Sequence, residues 1–228
     1  MPAMRAIASE ELSTLLSGVG ISVPEGAASK LVRHAEEMLH WNRSIRLTAI
    51  TAPEEVVVKH ILDSLLLLSF SPFPGRTMDF GSGAGYPGIP LAIVLPEARL
   101  VLLESSGKKC AFLSRVCAML SLGNTEVIRG RLDPRNRAPV GLFDQIVTRA
   151  TLPPGEAASL LLPYLAPGGR LLLMTGPRKE GRRRGKGLEE ASVLEAGLPS
   201  GAAYGRSQRF SLPLGMGSRE IREIRGRS

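Results

Sequence analysis

Between residues 81 and 88 the chain places four glycines, Gly81, Gly83, Gly85 and Gly88. They follow the strand-like run Thr77–Phe80 and precede the apolar, helix-like run Ile89–Leu95. Few local sequences restrict a fold so strongly. Glycines after a strand let the backbone reverse sharply and come close to a ligand. Amides at the start of the next helix then face polar or anionic ligand atoms, and Pro87 suits that helix's first turn. The plain alternative is a tight turn without a ligand. So many glycines at a strand-to-helix junction argue against it.

From Arg76 onward the pattern alternates. Strands are predicted over Thr77–Phe80, Arg99–Glu104, Thr125–Arg129, Asp144–Thr148 and Arg170–Thr175, with helices over Ile89–Leu95, Lys108–Leu122 and Glu156–Leu165 between them. Arg209–Leu212 and Glu220–Ile224 read as two closing antiparallel strands. This order predicts an α/β fold with a mostly parallel seven-stranded sheet and helices on both faces. Ligands on such sheets bind outside the carboxyl ends of the strands. Residues 1–70 read differently, as a helical extension packed on the core formed by residues 71–228, the whole being one structural unit. Within it Ser29–Asn42 has helical periodicity. Thr51-Ala52-Pro53-Glu54 reads as a capping box opening a helix that runs through Leu68 and stops before Pro72 and Pro74.

The spacing Gly83-Ala84-Gly85-Tyr86-Pro87-Gly88 fits the dinucleotide pattern G-x-G-x-x-G. Asp79 stands just before the glycines, where a carboxylate suits an ammonium group and repels a pyrophosphate. Glu104 ends the next strand, 19 residues beyond Gly85 (104 − 85), near the spacing of about 20 at which an acid reaches ribose hydroxyls. NAD and S-adenosylmethionine both carry such a ribose, so Glu104 alone does not separate them. Asp79 disfavours an NAD(P)-binding oxidoreductase, and so does the little chain left for a substrate domain.

The formal net charge is +8, which favours a polyanionic partner. Cys110 and Cys117 form neither a disulfide framework nor a zinc spacing, and two Cys with three His give no metal cluster. Met1–Leu12 carries Glu10 and Glu11 and does not read as a signal peptide, and Ile61–Phe70 is too short to span a membrane. A cytoplasmic, metal-free protein is expected.

Beyond the glycine turn, Pro87-Gly88-Ile89-Pro90 extends the motif, and His60-Ile61-Leu62-Asp63-Ser64-Leu65 forms a second one. Trp41-Asn42 with Leu47-Thr48-Ala49-Ile50, Gly107-Lys108-Lys109 with Phe112-Leu113, and Thr148-Arg149-Ala150 complete the set. Together, from about Leu31 to Gly176, they resemble the ribosomal RNA small subunit methyltransferase G family, also called glucose-inhibited division protein B. The resemblance implies a Rossmann-like class I methyltransferase that uses S-adenosylmethionine to methylate N7 of a guanine in 16S ribosomal RNA, free or in a ribosomal particle; a monomer is the separate expectation. A nucleic-acid-binding module with an inactive fold is the other alternative, against which Glu104 and Arg149 speak.

The resemblance also implies a cofactor site of Gly81, Tyr86, Glu104, Leu132, Asp133 and Arg149, to which the glycine turn adds Asp79 and Gly83. Asp133 either meets an adenine amine or, before Pro134, opens an ordinary turn. Arg149 ends a central strand and is expected to meet a methionyl carboxylate or an RNA phosphate, unless it reaches out to solvent. Guanine N7 has a lone pair and no proton to lose, so no general base is needed. His60, Asp63 and Ser64 share a helix face and, with Arg149, are candidates for positioning. The alternative is a packed His60 with Asp63 as its partner. Arg178, Lys179, Arg182, Arg183, Arg184 and Lys186 form a basic run among glycines, read either as an RNA-phosphate anchor or as a solvated loop.

Overall fold

The computed structural model describes residues 8–133, 140–149, 152–176 and 198–226. Seven strands form one sheet in the order β3-β2-β1-β4-β5-β7-β6. They are β1 (Arg76–Phe80), β2 (Arg99–Glu104), β3 (Thr125–Arg129), β4 (Phe143–Arg149), β5 (Leu165–Thr175), β6 (Ala202–Ser211) and β7 (Ser218–Gly226). The first five are parallel, and β7 runs antiparallel between β5 and β6. From β1 the chain builds outward to β3, then crosses back to lay β4 on the other side of β1. The carboxyl ends of β1 and β4 therefore border the switch-point crevice where such sheets hold ligands.

Strand periodicity divides the core. Leu100 and Leu102 face one side of β2, Val101 and Leu103 the other. The first side packs under α5 (Gly88–Val94), α6 (Gly107–Met119) and the N-terminal helices, and the second under α7 (Pro154–Leu161). The N-terminal helices are α1 (Ser9–Gly18) and α2 (Ala27–Trp41), with α2 lying on both α5 and α6. Leu31, Ala35 and Met38 on one face of α2 are fully buried, as helical spacing requires.

The segment after α2 departs from a plain helix. α3 (Pro53–Val56) is followed by a π-helical stretch (Val57–Leu62), α4 (Asp63–Leu65) and a tighter 3₁₀ turn (Leu66–Phe70). The expected capping box is not formed. Ala52 is the cap residue, no side chain caps the helix, and Pro53 occupies the first turn. The far end is held from outside: Arg170 donates to the carbonyls of Phe70 and Pro72, and Arg206 to that of Ser69. Those carbonyls have no partner within the helix, so arginines supply one.

Three boundaries differ from expectation for local reasons. α7 ends at Leu161 and a 3₁₀ turn follows (Leu162–Tyr164), because Pro163 has no amide to continue the helix. β5 then begins at Leu165, before the Pro-Gly-Gly expected to precede it, with a register shift opposite Phe143 and Gln145. β6 begins at Ala202 rather than Arg209 because it is an edge strand with many exposed positions, and such strands carry little hydrophobic signal. Among the described residues no helix is long and apolar enough to cross a membrane.

The junction of β1 and α5 depends on a missing side chain. A Cβ at Gly88 would lie 2.3 Å from Leu102 Cδ2 and 2.6 Å from Asp79 Oδ2. Gly88→Ala should therefore destabilise the fold by about 1–3 kcal/mol through overpacking. This is read as a lowered urea midpoint at unchanged m-value, and an unmoved midpoint would show that the junction tolerates a methyl group.

Candidate cofactor site

The turn after β1 is built from left-handed backbone. Gly81, Gly83 and Gly85 have φ of 73°, 56° and 86°, angles that side chains disfavour. The amides of Gly81 and Ser82 donate to the Leu103 carbonyl at 2.9 and 3.1 Å, tying the turn to the end of β2. A Cβ at Gly85 would meet Ile89 Cδ1 at 2.5 Å and His34 Nε2 at 3.1 Å, whereas at Gly83 the nearest atom is the Gly81 carbonyl at 3.7 Å. Gly85 thus serves packing, and Gly83 leaves room for an approaching molecule.

Two carboxylates hold this turn from opposite sides. Asp79 lies beneath it, 1% exposed, and its Oδ2 accepts from the Gly88 amide at 3.0 Å. Its Oδ1 is buried with no partner among the described residues. Burial raises its pKa to about 6 against the opposing pull of the Gly88 amide. Glu104 lies at the side. One oxygen accepts from the Gly83 amide at 3.0 Å, the other from the Ser106 amide at 2.8 Å.

Beside Glu104 opens a cleft of about 390 Å³ at the carboxyl edge of β1 and β2. Phe80, Leu103, Leu132, Leu152 and Leu160 give it apolar walls, with Gly81 and Glu104 at its polar margin. Apolar walls with a few placed polar groups suit a flat heteroaromatic ring bearing hydroxyls. Asp133 follows Leu132 and is exposed.

On the other side of the turn is a buried polar cluster. Tyr86 is sandwiched between His34 and His60, with ring centroids 4.4 and 4.6 Å away, and the Arg149 guanidinium lies 5.6 Å from its centroid. His34 Nε2 bonds the Ala84 carbonyl at 2.9 Å, and His60 Nε2 pairs with Thr48 Oγ1 at 3.0 Å. Asn42 shapes the loop that delivers Thr48, its Oδ1 accepting from the Leu47 and Thr48 amides. Burial lowers the pKa of His34 to about 4 and that of His60 to about 3, the latter helped by the charge of Arg149. Both rings are neutral near pH 7.

The alternative pairing of His60 with Asp63 is not made. Asp63, with no exposed surface, accepts instead from Arg149 Nη1 at 3.3 Å and Arg219 Nε at 2.5 Å. Ser64 turns back on its own helix, donating to the His60 carbonyl at 2.6 Å. The π-helical stretch matters here. It contains Lys59, whose carbonyl accepts from Arg149 Nη1 at 2.9 Å, and widened turns of this kind recur at functional sites.

The fold therefore gathers the sequence candidates into two adjoining groups. Gly81, Glu104 and Leu132 line the cleft, with Asp79 and Gly83 in the turn and Asp133 beside it. Tyr86, His60, Asp63 and Arg149 form the buried cluster. Arg178, Lys179, Arg182, Arg183, Arg184 and Lys186 lie outside the described residues. Sequence reasoning missed three members: His34, Thr48 and Arg219. His34 had a legible signal, since it falls with Leu31, Ala35 and Met38 on the apolar face of α2. Arg219 had none, because the closing strand was read from Glu220. Among the described residues no three His, Cys, Asp or Glu side chains group to hold a metal.

A five-strand parallel array closed by an antiparallel β7, with a glycine turn after β1 and an acid ending β2, is the fold of S-adenosylmethionine-dependent methyltransferases. Solved structures agree on the fold. A putative O-methyltransferase from Klebsiella pneumoniae superposes with TM-score 0.60 at 14% identity, covering 96% of this chain and 97% of that one. A SAM-dependent methyltransferase from Aquifex aeolicus gives 0.54 at 19% identity, covering 75% and 93%. The family model described as rRNA small subunit methyltransferase G matches residues 27–192. A ribosomal RNA small subunit methyltransferase G from Anaeromyxobacter sp. (strain Fw109-5) is 37% identical over 217 residues, 95% of this chain and 96% of the relative. One from Anaeromyxobacter dehalogenans (strain 2CP-1 / ATCC BAA-258) is 35% identical over 93% of this chain and 94% of the relative. The chain belongs to the rRNA small subunit methyltransferase G family.

The buried imidazoles make stability pH-dependent. The folded pKa of His34 lies below the ordinary imidazole value of 6.5, at about 4, because the ring is buried. The unfolded chain therefore binds the proton first, and stability is lost as pH falls from about 6.5 towards 4. Asp79, raised to about 6, acts in the opposite sense but is common to parent and variant. Between pH 7 and pH 5, His34→Gln should lose about 2 kcal/mol less than the parent in urea unfolding. Equal losses would mean that the ring protonates in place.

Proposed function

We propose that this protein transfers the methyl group of S-adenosylmethionine to N7 of a guanine in small-subunit (16S) ribosomal RNA. The observation that carries the reading is the glycine turn held between Asp79 and Glu104 beside an apolar cleft, in a chain of this family. The residues present fit the cofactor. Glu104 stands where ribose hydroxyls would donate to it. Phe80, Leu103 and Leu132 would enclose the adenine, with Asp133 at its polar edge. The unpartnered Oδ1 of Asp79 is matched by an ammonium donor, and Gly81 and Gly83 allow close approach of their backbone. Arg149 would meet an anionic group, held in place by the Lys59 carbonyl, Asp63 and Tyr86, while His60 stacks on Tyr86 beside it.

When bound, S-adenosylmethionine supplies an electrophilic sulfonium methyl group. Guanine N7 offers an in-plane lone pair. Transfer of that methyl group to N7 would break the carbon–sulfur bond as the nitrogen–carbon bond formed, leaving the positive charge on the purine. No proton leaves N7, so the chain needs no general base. Its task is to hold the two atoms in line about 3 Å apart and to keep water out. N7 lies in the deep, narrow groove of A-form RNA, which side chains do not enter, so the target is a guanine in a loop or single strand. Within this reading the enzyme works as a cytoplasmic monomer on ribosomal RNA or a ribosomal particle, and the basic run from Arg178 to Lys186 anchors phosphates without selecting the base.

The test is calorimetric and then cellular. S-adenosylhomocysteine should bind and NAD should not. Glu104→Ala should weaken binding by about 1–3 kcal/mol, the cost of losing a charged hydrogen-bond partner. Mass-spectrometric mapping of 16S ribosomal RNA should show one 7-methylguanosine that disappears when the gene is deleted. Identical modification maps would overturn the proposed substrate, and unchanged affinity would remove Glu104 from the site.

A further inference from the structure

Asp63 sits between two arginines drawn from distant parts of the chain. It lies in α4, Arg149 ends β4 and Arg219 opens β7. The arginine side chains are 16% and 13% exposed, the aspartate 0%. A buried carboxylate must have its charge answered, but one arginine would do that. Two leave the cluster with a surplus positive charge. The surplus is unevenly placed. Arg219 Nε approaches Oδ1 at 2.5 Å, while Arg149 Nη1 stands 3.3 Å from Oδ2, and Coulomb attraction favours the shorter pair. Among nearby charged groups, Lys59 is paired with Glu55, and His34 and His60 are neutral near pH 7. Asp79 feels the charge of Arg149 through space but forms no ion pair with it, its Oδ2 being bonded to the Gly88 amide. Arg149 is thus the less neutralised guanidinium, and it stands at the carboxyl edge of the sheet against Tyr86.

We infer that Arg219 is a positioning residue for methyl transfer: by engaging one oxygen of Asp63 it leaves Arg149 with the uncompensated charge that receives an oxyanion. Two oxyanions have the right chemistry, the carboxylate of the cofactor's methionyl arm and a phosphate of the RNA strand. The inference rests on the methyltransferase reading. Without Arg219, Asp63 and Arg149 form a closed neutral pair and the anion meets no net charge. Removing Asp63 as well restores one free guanidinium.

That reversal provides the test, made on the full chain. S-adenosylhomocysteine, 5′-methylthioadenosine (which lacks the carboxylate) and a 16S ribosomal RNA transcript are titrated against the parent, Arg219→Met and Asp63→Asn/Arg219→Met. Arg219→Met should weaken one carboxylate- or phosphate-bearing ligand about tenfold, the worth of a charge-assisted contact, and leave 5′-methylthioadenosine unchanged. The double variant should recover most of that loss. A loss confined to S-adenosylhomocysteine assigns the methionyl carboxylate, and one confined to the transcript assigns a phosphate. Should Arg219→Met fail to fold, Arg219→Gln, alone and with Asp63→Asn, carries the same comparison. Parent-like binding by the single variant, or a double variant no better than the single, overturns the inference. Failure of the parent to bind S-adenosylhomocysteine would instead strike the functional reading itself.

Discussion

The bond from the Gly88 amide to Asp79 is the joint that organises the molecule. It joins the penultimate residue of β1 to the first residue of α5, and so fixes the path of the turn between them. The joint puts a carboxylate where water does not reach, which is why the Asp79 pKa rises to about 6. It also requires a bare Cα at position 88, because Leu102 fills the space from below. With the turn fixed there, Glu104 meets the Gly83 amide and the apolar cleft opens alongside.

The stacked rings tie this joint to the N-terminal helices. His34 comes from α2, His60 from the π-helical stretch and Tyr86 from the turn itself. The stack is aligned by bonds at its ends, to the Ala84 carbonyl and to Thr48. The helices before β1 therefore shape one wall of the site as well as covering the sheet. Asn42 has a part in this although it does not line the cleft, since it sets the loop that carries Thr48.

Much of this was legible in the sequence, and the reasons are specific. β2 was found to the residue because Arg99–Glu104 is a buried apolar run ending in an acid. The glycine turn and its flanking acids were readable because backbone geometry there admits few residue types. The buried cluster was only half readable. Helical spacing put His60, Asp63 and Ser64 on one face, but the partner of Asp63 depended on Arg149 and Arg219, which are 86 and 156 residues away. No local pattern reports such a contact. Edge strand β6 was shortened in the reading for a related reason: its partner, not its own alternation, sets its length.

The antiparallel β7 has a consequence for the order in which the protein can mature. Asp63 is laid down early in the chain, Arg149 in the middle and Arg219 in the last strand. Until β7 inserts between β5 and β6, the carboxylate has only one of its two arginines. The glycine turn and the ring stack draw on residues before β4, whereas the second guanidinium comes from β7. The Asp63 cluster is thus completed only when β7 is in place, that strand acting as its closing stitch.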